Sequence, residues 1–183
     1  MKVYAKSDFV RRKLREQDLS KLFSENAGLD LYIDFDNYPN SIKVRDQSEF
    51  VPPSVVLENG LIKIIPKAGL TRYPFIVFFH TGVHLELPRG IHAIVHGRSG
   101  RFFKDSIDVF RGVIDSSYRG EIVVGLIFYR VEPVIINPEN AIAQLVFIDN
   151  SSLLNEKIRF VDSLYELSET DRGEKGFGST DKG

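Results

Sequence analysis

GVIDSSYRGEIVVGLIFY, residues 112–129, sets a polar loop directly against an apolar run. The run, Ile122–Tyr129, is apolar on both faces of a strand, as in a strand buried between sheets or on the axis of a trimer. Ahead of it, Asp115 stands between Ile114 and Ser116, with Tyr118, Arg119 and Glu121 close behind. Polar chemistry at the mouth of a buried strand marks a place where the chain does something besides fold.

Working outward, most of the chain reads as β. Further strands are expected at Leu29–Phe35, Leu61–Ile65, Phe75–Phe79, Ile91–His96, Val134–Ile136 and Ile142–Ile148. Turn signals separate them: ENG at 58–60, PRG at 88–90 and NPEN at 137–140. Many short strands with regular breaks predict an all-β sandwich, jelly roll or distorted barrel. Two segments depart from the pattern. Residues 8–23 place apolar positions 10, 14, 19, 22 and 23 among charges, which predicts a short surface helix. From Ser168 on, the chain is rich in glycine and charge, with Phe177 as its one large apolar residue. Such a segment buries too little to hold itself in place, so residues 168–183 are expected to form a mobile arm on a domain spanning 1–167.

The totals narrow the function classes. At 183 residues, 43% hydrophobic and 27% charged, the chain suits one globular domain. A net charge of −1 supplies no basic field for nucleic acid or an anionic membrane. The absence of cysteine excludes disulfides, thiol nucleophiles and Cys-ligated zinc. The N-terminus carries charge too early for a signal peptide, and no apolar run reaches spanning length, so a soluble, intracellular protein is expected.

Five polar islands interrupt the β pattern: AGLDLY (27–32), GRSG (97–100), GVIDSSYRGE (112–121), IAQL (142–145) and RGEKGFGST (172–180). Each pairs glycine, or a close strand end, with polar side chains. Glycine lets backbone N–H groups approach phosphate oxygens. Arg98 and Arg172 are fork-shaped donors suited to phosphate, and Ser99, Gln144, Ser179 and Thr180 add neutral hydrogen bonds. Asp30 and Asp115 are the acids available for a metal shell or a general base. Together they fit a polyphosphate carrying Mg²⁺, whose hard charge prefers oxygen ligands. Each island alone also reads as a turn or a strand end.

In this order the five islands resemble the five motifs of the trimeric dUTP pyrophosphatases (dUTPases) across residues 27–180. RSGRFFKDSIDVFRGVIDSSYRGE is especially similar to the eukaryotic and poxviral branch, with eleven residues between RSG and GVID. The resemblance implies a jelly-roll homotrimer whose three sites each draw on all three chains. It implies that Asp115 activates the water attacking the α-phosphorus of dUTP, releasing dUMP and pyrophosphate. Gly112, Val113 and Ile114 would belong to the hairpin that reads uracil with main-chain groups. Tyr118 would stack under the deoxyribose and exclude a 2′-hydroxyl. Arg98, Ser99, Gly100 and Gln144 would serve the phosphates and the nearby acids, and Asp30 would orient waters around Mg²⁺. The arm would close as a lid, with Phe177 on uracil and Arg172, Gly178, Ser179 and Thr180 at the phosphates. Such enzymes keep uracil out of DNA and supply dUMP for dTMP synthesis. A cytoplasmic location follows, or a nuclear one in a eukaryotic or viral setting.

The chain departs from the family pattern at Phe110 and Arg111 in the hairpin, Ser117 in place of an acid, Arg101 after RSG, Ala141 before IAQL, and Asp181 after GST. Roughly two dozen extra residues separate the first two islands, within 35–75, where a surface hairpin or a protein-binding arm is expected. That insertion motivates a second reading, a nucleotide-gated binding protein. A dCTP deaminase, which shares the fold, needs a glutamate where this chain has Gly125. A phosphate loop is excluded because GEKGFGST has no Lys before Ser/Thr. His80/His84 and His92/His96 recur at four-residue spacing but sit about 13 Å apart on a strand, too far to share zinc.

Overall fold

The computed structural model describes residues 1–22, 28–44, 51–69, 71 and 73–154, with 101–103 described by their backbone. Its strands are β1 (Lys2–Ala5), β2 (Gly28–Leu31), β3 (Ile42–Val44), β4 (Ser54–Glu58), β5 (Leu61–Ile65), β6 (Phe75–His80) and β7 (Val83–Glu86). They continue as β8 (Ile91–His96), β9 (Ile107–Val109), β10 (Val113–Ile114), β11 (Val123–Phe128), β12 (Val134–Ile136) and β13 (Ala143–Asp149). Two helices accompany them, α1 (Asp8–Arg15) and α2 (Ser99–Asp105).

Every strand pair is antiparallel. The sheet orders are β10-β8-β13-β2, β3-β6-β11-β9, β12-β5-β4 and β1-β7. Period-two patterning builds the core. Phe75, Val77 and Phe79 of β6 face inward beside Val124, Leu126 and Phe128 of β11. The opposed sheet contributes Leu29, Leu31, Ala93, Val95 and Leu145. Phe75 and Phe128 are register partners whose rings stack at 4.9 Å and 7°. Burying either ring contributes about 3 kcal/mol.

β11 resolves the ambiguity of its apolar run. Its inward face is buried, but Val123 is 38% exposed and Ile127 half-buried on the other face. They stand beside half-buried Ile76 and Phe78 of β6, and Phe110 after β9 is 58% exposed. One sheet therefore keeps an apolar outer face that a single chain leaves uncovered.

α1 forms where expected but ends at Arg15. Ser7 caps it, with Oγ accepting from the Val10 N–H, and Phe9, Val10 and Leu14 are buried. Residues 19–21 make a separate 3₁₀ turn. The strand expected over Leu29–Phe35 stops at Leu31, and 35–37 turn into a 3₁₀ helix whose Asp36 accepts from the Phe9 N–H at 2.9 Å. The ENG signal is a hairpin turn between β4 and β5, with Asn59 at φ 51° and Gly60 at φ 75°. Strands β1, β3, β4, β7, β9 and β10 were not expected from the sequence. Most are four residues or fewer, too short to display a period. Residues 155–167 and the arm expected over 168–183 lie outside the described residues.

Candidate active site

Asp30 sits in β2, the edge strand of its sheet, opposite Gln144 of β13. Gln144 is in turn opposite His96, the last residue of β8. Its Nε2 donates to the Gly97 carbonyl at 3.3 Å. The chain then turns through Arg98 into α2, and Arg98 Nη1 lies 3.3 Å from Asp30 Oδ2. Burial raises the Asp30 pKa above the usual aspartate range, and Arg98 opposes that shift. Three islands far apart in sequence thus meet as one cluster: AGLDLY, GRSG and IAQL. A cavity of ≈ 570 Å³ opens beside it, lined by Arg98, Ser99, Gly100, Lys104, Asn137 and Asn140 among others. GRSG, which reads as a tight loop, carries the first residues of α2, a helix too short to announce itself by periodicity.

Asp115 follows β10, whose residues Val113 and Ile114 pair with Ile94 and Ala93 of β8. The Gly112 carbonyl accepts from the Val95 N–H at 3.0 Å, which extends the pairing of this segment with β8. Val113 is 62% exposed, while Ile114 packs on the core. A second cavity, ≈ 630 Å³, is lined by Val113, Asp115, Ser116 and Ser117 on one side and by Arg89, His92 and Asn150 on the other. The two cavities have no lining residue in common.

The loop after Asp115 is held by Tyr118 and by residues with no apparent site role in the sequence. Tyr118 N–H donates to the Asp115 carbonyl at 3.0 Å, and its hydroxyl donates to the Glu121 carbonyl at 3.0 Å. Arg119 folds back to donate to the carbonyls of Ser116 and Tyr118 at 2.7 and 2.8 Å. Glu121 accepts from the Gly82 N–H at 2.8 Å and faces His80 Nδ1 at 3.1 Å. Burial pushes its pKa up, but the His80 and Gly82 hydrogen bonds outweigh that and hold it below the usual glutamate range. Gly82 has φ 64°, and a Cβ there would stand 3.0 Å from Asp34 Oδ2. Buried Thr81 donates to the Ile122 carbonyl at 2.7 Å, and His84 Nδ1 to that of Arg119 at 3.0 Å. His80 and His84 lie on two strands, β6 and β7, and both serve this loop. Their spacing across HTGVH was the only trace of that role in the sequence.

Three departures from the family pattern take defined positions. Phe110 is exposed beside β11, Ala141 is buried at 4%, and Ser117 lines the Asp115 cavity. Arg172, Phe177, Gly178, Ser179 and Thr180 lie outside the described residues.

The dUTPase family model matches residues 71–181. A deoxyuridine 5′-triphosphate nucleotidohydrolase of Alkaliphilus metalliredigens is 42% identical over 107 residues, which are 57% of this chain and 70% of that protein. The Candida albicans protein of the same name is 40% identical over 102 residues, 56% of this chain and 62% of that one. Among solved structures, Staphylococcus bacteriophage 80alpha dUTPase with dUpNHpp superposes with a TM-score of 0.57 at 19% identity, covering 98% of this chain and 96% of that one. A point mutant of the dUTPase from phage phi11 of S. aureus, described with a structural Mg(II) ion, gives a TM-score of 0.54 at 16% identity, covering 89% of this chain and 97% of that one.

Proposed function

This chain belongs to the dUTPase family, and from that membership we propose that it hydrolyses dUTP to dUMP and pyrophosphate by in-line attack of a water held on Asp115. The observation that carries the reading is the division of labour between the two cavities. One is lined by Arg98, Ser99 and Gly100, with Asp30 against Arg98 and Gln144 beside Asp30, donors and an acid suited to a triphosphate. The other holds Asp115 just past β10, an edge strand of its sheet, whose outer edge suits a nucleobase. Asp115 orients the water and takes its proton. Tyr118, fixed by its two hydrogen bonds, presents its ring to the sugar. Arg98 and the α2 backbone receive phosphate charge. The product serves dTMP synthesis, and removing dUTP keeps uracil out of DNA.

Asp30 beside this cluster, with Asp105 in the lining of the cavity, fits Mg²⁺, which keeps several waters and takes one or two carboxylates plus substrate phosphates. Asp30 would hold it through a bound water. The ion, when bound, neutralises charge building on the phosphate oxygens. The active form is a homotrimer: the half-exposed apolar face of Ile76, Phe78, Val123 and Ile127 is what a second copy would cover. Residues 168–183 close over the substrate as a lid, bringing Phe177 to uracil and Arg172, Gly178, Ser179 and Thr180 to the phosphates.

Deamination is disfavoured by packing. A Cβ at Gly125 would stand 3.2 Å from both the Phe110 Cβ and the Phe78 ring, so a glutamate there would need both to shift. A partner-binding role remains a second reading, favoured by Val56 and Leu57, exposed on the hairpin within the insertion. The deciding experiment measures pyrophosphate release with Mg²⁺ from dUTP, UTP, dCTP and dTTP in parallel, with Asp115→Asn as control. Release from dUTP alone, lost in the variant, supports the reading. A folded trimer that releases none from any nucleotide refutes it and favours the partner-binding role.

A further inference from the structure

Gln17 lies outside all five polar islands, yet it grips Asp30 by both backbone groups. Its Oε1 accepts from the Asp30 N–H at 2.8 Å and its Nε2 donates to the Asp30 carbonyl at 3.0 Å. β2 is an edge strand, so these groups face away from the sheet and would otherwise turn to water. The primary amide stands where the peptide group of a next strand would be.

That grip has a consequence for the site. With the Asp30 N–H and C=O directed at Gln17, Asp30 and Gln144 form the non-hydrogen-bonded kind of antiparallel pair. In such a pair the Cα atoms approach to about 4.5 Å and the side chains share one face at their closest. The Asp30 carboxylate is thereby set toward Arg98, 3.3 Å away.

Gln17 is itself held. It follows Glu16, the C-cap of α1, whose N–H donates to the Arg12 carbonyl. Arg12 and Lys13 both reach Glu139, at 3.0 and 3.3 Å, in the turn that leads into β13 and Gln144. The same two cations bond Glu16 at 3.0 and 2.8 Å. Lys13 is 8% exposed, with its ammonium 5.0 Å above the ring of Tyr32, two residues past Asp30. The helix and the residues just after it therefore contact β2 through Gln17, and the segments next to β2 and β13 through Tyr32 and Glu139.

We propose that Gln17 is a positioning residue, and that α1 with Gln17 forms a brace holding Asp30 against Arg98 in the geometry that receives phosphate. This rests on the assignment of Asp30 and Arg98 to the phosphate side given above. A misplacement of about 1 Å at such a site can cost up to about 10²-fold in rate, and among the described residues β2 has no neighbouring strand on its outer side to prevent it.

The test compares wild type with Gln17→Ala and Gln17→Glu, whose carboxylate accepts from the Asp30 N–H but repels its carbonyl. Three quantities are read: hydrogen exchange at the Asp30 amide, affinity for α,β-imido-dUTP with Mg²⁺, and melting temperature. In Gln17→Ala the amide is expected to exchange at least about tenfold faster, as a freed edge group does. Probe affinity is expected to fall by about tenfold, with melting nearly unchanged. Gln17→Glu should also move the acid limb of the pH–affinity profile upward, because a new negative charge favours protonated Asp30. A purely structural Gln17 would lower melting without moving that limb. Unchanged exchange, or faster exchange with unchanged affinity, overturns the proposal. A wild type that binds the probe but releases no pyrophosphate from dUTP counts against the proposed reaction alone. One that neither binds nor hydrolyses overturns both.

Discussion

Arg98 and Asp115 stand toward opposite ends of β8 within one chain. Asp115 continues the register past the Ile114–Ala93 pair and shares a cavity with His92, whereas Arg98 lies two residues beyond His96. The strand between them, four residue steps from His92 to His96, is about 13 Å long. Under the proposed reaction, one α-phosphate must meet both groups, so the two halves of a site come from different copies.

Mixing two inactive variants tests this. Asp115→Asn and Arg98→Ala should each lose most activity as homotrimers. Refolded together at equal amounts, they should regain about a quarter of wild-type activity, because a site needs one intact contribution from each of two neighbours. No recovery in assembled mixed trimers would place both groups in one chain's site.

Asp30 should carry a stability cost that depends on pH. Its folded pKa is raised by burial, with Arg98 opposing, so the unfolded chain loses its proton first as pH rises. Stability then falls between the ordinary aspartate value and the raised one, and the full penalty applies above it. Asp30→Asn should therefore melt up to about 2 °C higher at neutral pH and no higher below the ordinary aspartate range, while binding Mg²⁺–nucleotide more weakly. Thermal melts across pH, with calorimetry at neutral pH, check both.

Glu121 should behave in the opposite sense. Its folded pKa is depressed, since the bonds to His80 and the Gly82 N–H outweigh burial. The stabilisation is present above the unfolded pKa and is lost as pH falls through the folded one. Glu121→Gln should cost about 1 kcal/mol at neutral pH, read from denaturant midpoints. The difference from wild type should vanish in acid, and a constant difference would refute the charge assignment.

Gly120 leaves room for the Tyr118 ring, since a Cβ there would lie 2.2 Å from the tyrosine hydroxyl oxygen. Gly120→Ala should fold normally but displace the ring. Discrimination of dUTP from UTP, measured as a ratio of kcat/KM values, should fall by about tenfold. An unchanged ratio would separate Tyr118 from sugar recognition.

The long apolar runs and most of their turns were legible in the sequence, because burial on a strand leaves a period of two. Six strands were not, since a two-residue partner such as β10 is defined by the backbone it pairs with. The candidate site residues within the islands were legible through side-chain chemistry: Arg98, Asp30 and Gln144 are donors and an acid wherever they stand. Their supports were not. His80 spaced four residues from His84 reads as a pair too far apart for a metal, and its actual role shows only in the fold, where each holds a different part of the loop after Asp115.

Residue types and their order thus determined which chemistry this chain can perform and that its body is a sheet structure. Only the tertiary structure decided that Asp30 and Arg98 meet, that Gln17 bonds the outer backbone edge of β2, and that Asp115 lies apart from the Asp30–Arg98 cluster. The physical reason is one of range. Side-chain chemistry and strand periodicity are local properties, carried by a few consecutive residues. Pairing across a sheet joins positions such as Gln144 and Asp30 through backbone hydrogen bonding and burial that no short window contains.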